Sequence, residues 1–337
     1  MEGRGPWYRA YRRLRSNRLA IAALGLFAAI LLFVLAAPLW ADLVAESGPN
    51  ETHTTAKIEV DGESREVVSP DGTPIGPVWL GAGGRFLLGA DGRLGRDEMV
   101  RLMHGGRTSL TIGLGATLVT TLLALALALL AGYFRGWTDG LISRALDVVW
   151  AFPVMLLGIA LGTALAISGI QIGPLTISSG STWLPLLVIG FVLVPYMARP
   201  LRGEVLALRE REFVEAAVAQ GSGPLRVMLG ELLPNLLPTA IVLATLNVVN
   251  AMMLEAGLSF LGAGVQEPDS SWGSMIADGV EVLATAPLLT ILPGTMILLT
   301  VLSVNVFGDG LRDAINPRSK VRLEAHTGSY EPERGAA

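Results

Sequence analysis

The chain has 337 residues, 51% hydrophobic and 16% charged, with a mean hydropathy of +0.54 and a net charge of −4. In soluble proteins about a quarter of the residues are charged, so this composition indicates a membrane protein. Because basic residues are not in surplus, we expect no nucleic-acid partner. The absence of cysteine excludes disulfides and thiolate sites. His53, His104 and His326 are far apart in sequence, so we expect solvated surface side chains and no metal site.

The positions of the two lysines exclude one class of ATP-binding site. Lys57 follows Ala56 and Lys320 follows Ser319, whereas a phosphate-binding loop needs Gly-Lys-[Ser/Thr] after a glycine-rich turn. The chain therefore has no P-loop with which to bind and hydrolyse ATP. No histidine lies inside an apolar run, so a membrane-embedded enzyme is not favoured, and we predict no catalytic residue and no cofactor in this chain.

Charge-free intervals predict the membrane spans, because a spanning helix needs about 20 apolar residues. Single intervals of sufficient length end at Asp42, Arg135, Glu255 and Asp309. The interval from Asp147 to Arg199 is long enough for two spans, 148–167 and 183–198, separated by a glycine- and serine-rich turn at 169–182. We therefore predict an all-α membrane protein with six transmembrane helices and both termini on one side.

The loop charges predict the orientation. With the N-terminus inside, the inner segments 1–18, 135–147, 199–231 and 309–337 hold six, two, five and five Lys or Arg residues. The outer loops 168–182 and 255–281 hold none. By the positive-inside rule, both termini are cytoplasmic.

The N-terminal third contains an anchor and an insert. Aromatic and basic residues alternate over Trp7–Leu19, which suits a helix on an anionic membrane surface, and we expect the following apolar run to stay as an uncleaved anchor. Asp61-Gly62 between apolar residues predicts a hairpin in the outer segment, the alternative being a plain solvated insert. Leu94–Met103 is predicted to form a short helix before the second span.

The stretch from Glu212 to Pro238 is charged and lies between two long apolar runs. Phe213–Gln220 is predicted to be a helix whose alanines leave a shallow surface, ended by Gly221 and Gly223-Pro224. Leucine and methionine then recur at helical spacing, which predicts an amphipathic helix entering the membrane; these residues are Leu225, Met228, Leu229, Leu232 and Leu233. This stretch is either a docking surface for another protein or a cap on the helix bundle.

Polar residues in or near the spans are candidates for a translocation path, the alternative being hydrogen bonds between helices. Asn247 and Asn250 lie three apart and are predicted to share a helix face. Glu255, at the outer mouth, could meet the amino end of a peptide. The full candidate set is Asp147, Asn247, Asn250, Glu255, Asn305 and Asp309.

Several motifs resemble the permeases of the dipeptide/oligopeptide/nickel ABC importer family, in particular their second ("C"-type) membrane subunit. Glu-Ala-Ala at 215–217, Gly221 and the Leu-Pro pair ending at Pro234 resemble the EAA loop of such permeases. LEAGLSFLGAGVQEPDSSWGSMI, NVFGDGLRDAINPR and LGRDEMVRLMHGGRTSLTIG are similar to the same subunit, and the likeness covers nearly the whole chain except about 45–84 and the last dozen residues.

The resemblance implies a peptide-import permease subunit of a bacterial or archaeal plasma (inner) membrane. Its partners would be a homologous permease, two ATPase subunits that bind ATP and Mg²⁺, an extracytoplasmic substrate-binding protein and membrane lipid. Glu215, Ala216, Ala217, Gly221 and Pro234 would contact the ATPase. The implied division of the chain is a basic segment 1–18, a first span 19–41, an outer segment with its insert 42–106, a five-helix permease domain 107–318 with the coupling loop 199–233, and a tail 319–337.

Three features depart from the family pattern. Glu231 stands where an isoleucine is common, the outer insert is long, and the loop Gln266-Glu267-Pro268-Asp269 is more acidic than expected. Nickel complexes or other small solutes remain alternative cargoes. A self-sufficient secondary carrier is the alternative from another class, but such carriers show paired repeats that this sequence lacks.

Overall fold

A computed structural model describes residues 6–79, 82–92 and 94–315. Lys320 and His326, and the predicted tail 319–337, lie outside these residues. The described chain is mostly helical. Its helices are α1 (Pro6–Ser16), α2 (Arg18–Leu35), α3 (Ala37–Trp40), α4 (Glu98–Phe134), α5 (Gly136–Ala151), α6 (Val154–Ser168), α7 (Trp183–Val192), α8 (Val194–Arg209), α9 (Glu212–Ala219), α10 (Pro224–Arg226), α11 (Leu233–Phe260), α12 (Trp272–Val280) and α13 (Leu288–Ile315), and its strands are β1 (Lys57–Val60), β2 (Glu63–Glu66), β3 (Ile170–Ile172) and β4 (Leu175–Ile177).

Four continuous helical stretches are long and apolar enough to cross a membrane: α2, α4, Pro224–Phe260 and α13. The pairs α5–α6 and α7–α8 raise the number to six if each is one bent span. Many outward-facing side chains on these helices are apolar, for example Leu118 and Leu122, which are 60% and 59% exposed. Such a surface fits lipid or a partner subunit rather than water.

The predicted span 148–167 is not one continuous helix in the structure. α5 ends at Ala151 and α6 begins at Val154 after a bend of 89°. Phe152 between them is extended (φ −87°, ψ 138°), since the ring of Pro153 disfavours helical backbone at the preceding residue. The predicted span 183–198 is likewise divided into α7 and α8, at an angle of 42°, and α8 continues to Arg209.

The insert before α4 has a small core of its own. β1 and β2 form an antiparallel hairpin around Asp61-Gly62, at the place where the sequence predicts one. Beneath it lie apolar side chains that are at most 9% exposed, including Ile58, Val60 and Phe86. The insert is therefore a packed unit and not an open solvated loop.

The short helix predicted at Leu94–Met103 is not separate from the second span, α4. The helix begins at Glu98 and continues to Phe134, a length of about 55 Å, so one end projects beyond a hydrocarbon core of about 30 Å. The Asp97 carboxylate caps it by accepting from the Val100 N–H at 3.1 Å and also accepts from the Phe86 N–H at 2.6 Å. Burial raises the pKa of Asp97, and these hydrogen bonds oppose that rise.

α4 forms the centre of the bundle and packs against α8, α11, α7 and α12. The insert lies next to the first residue of α4, and α9 lies near the last residue of α4. The two ends of the bundle are therefore called the insert end and the α9 end. α13 runs from the insert end to the α9 end, where Gly310 meets Ala20 and Asn17 at the start of α2. The described ends of the chain, Pro6 and Ile315, therefore both lie at the α9 end.

The two connections at the insert end carry structure that the sequence did not predict. The segment predicted as a turn at 169–182 holds the hairpin of β3 and β4. The loop 255–281 holds α12, whose Trp272 is fully buried. The Trp272 indole N–H donates to the Leu102 carbonyl at 2.9 Å, which joins α12 to α4.

Candidate functional site

α9 is attached to the bundle by one face and open on the other. Val214, 2% exposed, lies in a core cluster with residues of α4, α8 and α11, and the partly buried Ala217 packs against the same cluster. Glu215 and Ala216 point away from it and are exposed. The open face of the helix therefore carries charged and small side chains and is backed by the core.

Gly221 ends α9 in the manner predicted. Its backbone is left-handed (φ +81°), a conformation that costs residues with a Cβ. The Gly221 N–H donates to the Val218 carbonyl at 2.9 Å, and the Ser222 N–H to the Ala217 carbonyl at 3.1 Å. This pair of bonds is a Schellman motif, which fixes where the helix stops and the chain turns back.

The segment after Gly221 differs from the predicted regular amphipathic helix. α10 is followed by a wide π-helical turn, Val227–Leu232, before α11. The residues of the predicted stripe divide between core and surface: Met228 and Leu232 are buried, while Leu225 and Leu229 are 66% and 51% exposed. Pro234 is exposed in the first turn of α11, directly after the π-helical turn.

A cleft of about 490 Å³ lies beside α9. Its wall away from α9 is charged and aromatic: Arg135 donates to Glu210 at 2.6 Å, and the Arg209 guanidinium lies 5.5 Å from the Tyr133 ring centre. Glu215 lines the other side. The α9 end thus combines a protruding helix with a polar recess that another protein could fill.

Asp147 is exposed and ion-paired. Its carboxylate accepts from Arg199 at 2.5 Å, and the Arg199 guanidinium also stacks over Trp150, 4.4 Å from the ring centre. Reasoning from the sequence alone misses Arg199, although this residue ends the charge-free interval that Asp147 begins. The pair joins α5 to α8 and stays accessible from outside the chain.

The asparagines predicted to share a face differ in their surroundings. Asn247 is 2% exposed, and neither atom of its amide has a hydrogen-bond partner in the described part of the chain, whereas Asn250 is exposed. On α13, Asn305 is half-buried and Asp309 exposed. The assignment of these four residues and Asp147 to a translocation path stays a prediction.

Glu255 lies inside the chain. It is 1% exposed, and its carboxylate accepts from Ser109 of α4 at 3.0 Å and from Ser259 at 2.8 Å. Ser109 in turn accepts from the Trp272 N–H at 3.1 Å. This geometry favours the alternative weighed for it, a hydrogen bond between helices, over contact with cargo.

The described histidines, predicted as solvated surface side chains, are partly exposed. The His53 side chain is 12% exposed, contacts Ser47 Oγ at 3.0 Å and meets Phe86 edge-on. His104 bonds the Val100 carbonyl of its own helix through Nδ1 at 3.0 Å. Both rings thus have local structural contacts, which sequence spacing could not indicate.

Comparison with known families gives two matches along the chain. Residues 124–321, more than half of the chain, match the family described as the inner membrane component of binding-protein-dependent transport systems. Residues 5–57 match the N-terminal transmembrane domain of oligopeptide transport permease C. The chain belongs to this permease family. It is therefore an ABC importer permease, and α9 with its glycine end lies inside the matched region.

Curated relatives extend the likeness to most of the permease. It is 36% identical to the dipeptide transport system permease protein DppC of Alkalihalophilus pseudofirmus, over 94% of this chain and 91% of the relative. It is 40% identical to the di/tripeptide transport system permease protein DppC of Pseudomonas aeruginosa, over 72% and 76%. A glutathione transport system permease protein of Pectobacterium atrosepticum is 32% identical over 94% and 93%.

The fold also resembles a solved structure. An inward-facing form of the MetNI methionine ABC transporter aligns with a TM-score of 0.51 and 17% identity, covering 65% of this permease and 97% of that chain. At this identity the likeness concerns the fold alone, and it agrees with the family.

Proposed function

We propose that this permease is one of two membrane subunits of an ATP-driven importer of di- or oligopeptides. It forms the translocation path with a homologous permease and receives cargo from an extracytoplasmic binding protein. Two separate ATPase subunits, which bind ATP and Mg²⁺, drive it from the cytoplasm. The α9 end is cytoplasmic, supported by the surplus of Lys and Arg in its loops and by their absence from 168–182 and 255–281.

The cargo class rests on the relatives. Those named above transport dipeptides, di- and tripeptides, or glutathione by their names, and all of these are short peptides. The permease shares 32–40% identity with them over most of its length. Nickel complexes and other small solutes are the second cargo candidates, and direct uptake assays separate them from peptides.

The exposed face of α9 carries the proposal for coupling. Its small side chain at Ala216 lets a partner approach the backbone, while Val214 connects the helix to α4, α8 and α11. ATP-driven closure of an ATPase pair that holds α9 would move this shared core cluster as a unit. A push at α9 thereby becomes a tilt of the spans.

Ala216→Trp tests the docking. Ala216 is exposed, so the indole projects from the permease without entering its core, but it blocks a partner that seats against α9. We expect ATPase co-purification and ATP-driven peptide uptake to fall at least about tenfold, the effect of losing roughly 1.4 kcal/mol of binding energy. Ala217→Trp is less informative, since Ala217 packs against this chain's own core.

Ala284→Trp is the matched control, an exposed alanine at the insert end, far from α9. It should leave both ATPase binding and uptake unchanged. Co-purification of the ATPase with Ala216→Trp at the level of this control would contradict docking at α9. Uptake by the permease alone, driven by an ion gradient in liposomes without ATPase, would contradict the importer proposal as a whole.

A further inference from the structure

The insert end contains a pocket that the proposed function does not use. It has a volume of about 360 Å³, within the roughly 300–1,000 Å³ range of small-molecule sites. Its lining comes from the first turns of α4, the start of α7, the acidic loop after α11, and the insert at Pro49 and Asn50. Four segments distant in sequence thus converge on one open cavity.

The α4 wall of the pocket is a polar stripe. Residues at i, i+3, i+4 and i+7 lie on one face of a helix, and here they are His104, Arg107, Thr108 and Thr111. A polar stripe at the start of a membrane-crossing helix is costly against lipid and is expected where water or a ligand has access.

The opposite face of α4 is locked, which fixes the direction of the stripe. A Cβ at Gly106 would lie 2.6 Å from the Trp272 ring, so the ring packs directly on the α4 backbone. Ser109 is bonded both to Glu255 and to the Trp272 N–H. α4 therefore cannot rotate its polar stripe away from the pocket without breaking these contacts.

Two opposite charges line the pocket without neutralising each other. Arg107 is exposed and makes no ion pair within 4.0 Å in the described ranges 6–79, 82–92 and 94–315. Asp269, exposed on the loop, accepts from Thr182 at 3.2 Å and makes no ion pair with any residue of those same ranges. A pocket that holds a separated cation and anion is complementary to a ligand with the opposite charges at its two ends.

We propose that this pocket binds the charged termini of a short peptide, an inference that rests on the proposed function. The Arg107 guanidinium holds the α-carboxylate, since its planar fork matches a carboxylate in two bonds. Asp269 holds the α-ammonium group. The Thr111 hydroxyl can donate to the peptide backbone, whereas the Thr108 and Thr182 hydroxyls, which already donate to the His104 carbonyl and to Asp269, can accept from it. Trp183, 61% exposed, offers an apolar surface to side chains.

The choice of Asp269 follows from the acidic loop. The loop Gln266-Glu267-Pro268-Asp269 carries two carboxylates, Glu267 and Asp269. Glu267 contacts Arg96 at 3.5 Å, outside the pocket lining, whereas Asp269 faces the pocket. The buried Glu255 cannot serve, because its oxygens are occupied by Ser109 and Ser259. Asp269 is thus the acidic side chain among the residues that line this pocket.

The test uses the whole transporter in proteoliposomes with its partner permease, ATPases and unaltered binding protein. Uptake of a dipeptide with free termini is compared with its C-amidated and N-acetylated forms. Arg107→Gln should reduce the preference for the free carboxylate about tenfold, as expected when a charge-assisted hydrogen bond is lost. Asp269→Asn should reduce the preference for the free amine and leave that for the carboxylate intact. The binding protein's own preference is common to all variants and cancels.

Arg65→Gln, an exposed arginine on β2, is the control and should keep both preferences. Unchanged preferences in Arg107→Gln and Asp269→Asn, with wild-type uptake intact, would overturn the pocket assignment. Loss of the partner permease on co-purification of either variant would overturn it too, because the pocket would then be an interface. No peptide uptake by the wild-type complex would refute the proposed function instead.

Discussion

At the scale of single residues, Glu255 shows how one carboxylate connects helices inside the membrane domain. It lies on α11, accepts hydrogen bonds from Ser109 on α4 and Ser259 on its own helix, and is 1% exposed. Through Ser109 it also meets the backbone of Trp272 at the start of α12. A polar group this deep is retained only with partners, and here the partners come from separate elements.

Glu255→Ala should destabilise the permease. Removal of the carboxylate leaves the Ser109 and Ser259 hydroxyls buried without an acceptor, at a cost of about 1–3 kcal/mol for each unsatisfied group. Glu255→Gln keeps one acceptor oxygen and should lose less. Thermal unfolding in detergent measures the difference. We expect the unfolding temperature to be highest for wild type, lower for Glu255→Gln and lowest for Glu255→Ala.

Uptake separates this role from contact with cargo. In Glu255→Gln, peptide uptake per assembled complex should match wild type, because the side chain is enclosed by its own chain. A Gln variant that unfolds like wild type but has lost uptake would contradict the structural role and restore Glu255 to the path.

Residue roles of this kind could be predicted only in part. The sequence indicates that Glu255 and Asn247 are polar residues near apolar runs, and that Glu215 and Ala216 lie on a helix. It cannot indicate that Glu255 is enclosed, because Ser109 is 146 residues away. The exposure of α9 was easier to predict, because it follows from the spacing of its alanines and from the glycine that ends the helix.

At the scale of elements, α9 and its continuation show where local pattern succeeds and fails. The α9 helix and its glycine end follow from short-range chemistry, and the structure has both. The helix departs from 3.6-residue spacing at the π-helical turn Val227–Leu232, and the stripe predicted from that spacing divides between core and surface. A prediction from hydrophobic spacing assumes regular α-helical geometry throughout. Nothing in the local sequence indicates that this turn is π-helical.

The break between α5 and α6 is a second case. Pro153 could have indicated a helix boundary, since the residue before a proline disfavours helical backbone. The 89° angle, by contrast, is set by how α6 packs on α7 and α11. Composition therefore predicts which segments are apolar enough for a membrane, while tertiary packing decides their shape.

Gly221→Ala tests the end of α9. A Cβ meets nothing within 4 Å there, but the left-handed backbone costs a residue with a Cβ about 1–2 kcal/mol. We expect faster hydrogen–deuterium exchange over 212–222, by about tenfold per 1.4 kcal/mol, and weaker ATP-driven uptake.

Gly223→Ala is the matched control two residues on. Gly223 has an ordinary extended backbone (φ −70°, ψ 162°) and equally open surroundings. It should exchange and transport like wild type. Equal exchange in the two variants would mean that the Schellman turn does not hold α9 in place.

At the scale of the whole molecule, buried charges connect the insert to the membrane domain. Arg96, 2% exposed, contacts Asp91 of the insert at 2.5 Å, Glu267 of the acidic loop at 3.5 Å and Asp278 of α12 at 3.8 Å. Asp278 also pairs with Arg101 of α4 at 3.4 Å. The insert is thus fixed to the same α4–α12 unit that forms the pocket wall, which argues against an independent appendage.

Arg96→Met should release this connection. Removing one partner of a buried ion pair leaves Asp91, whose side chain is 7% exposed, without its main cation, at a cost of about 3–5 kcal/mol. Arg65→Met provides the comparison, since Arg65 and Glu63 are both exposed and such pairs contribute about 0–1 kcal/mol. We expect Arg96→Met alone to lower the unfolding temperature and to expose the insert to limited proteolysis. If both variants unfold and resist protease alike, the buried charges do not hold the insert, and its position depends on the apolar contacts around Phe86 and Val100 instead.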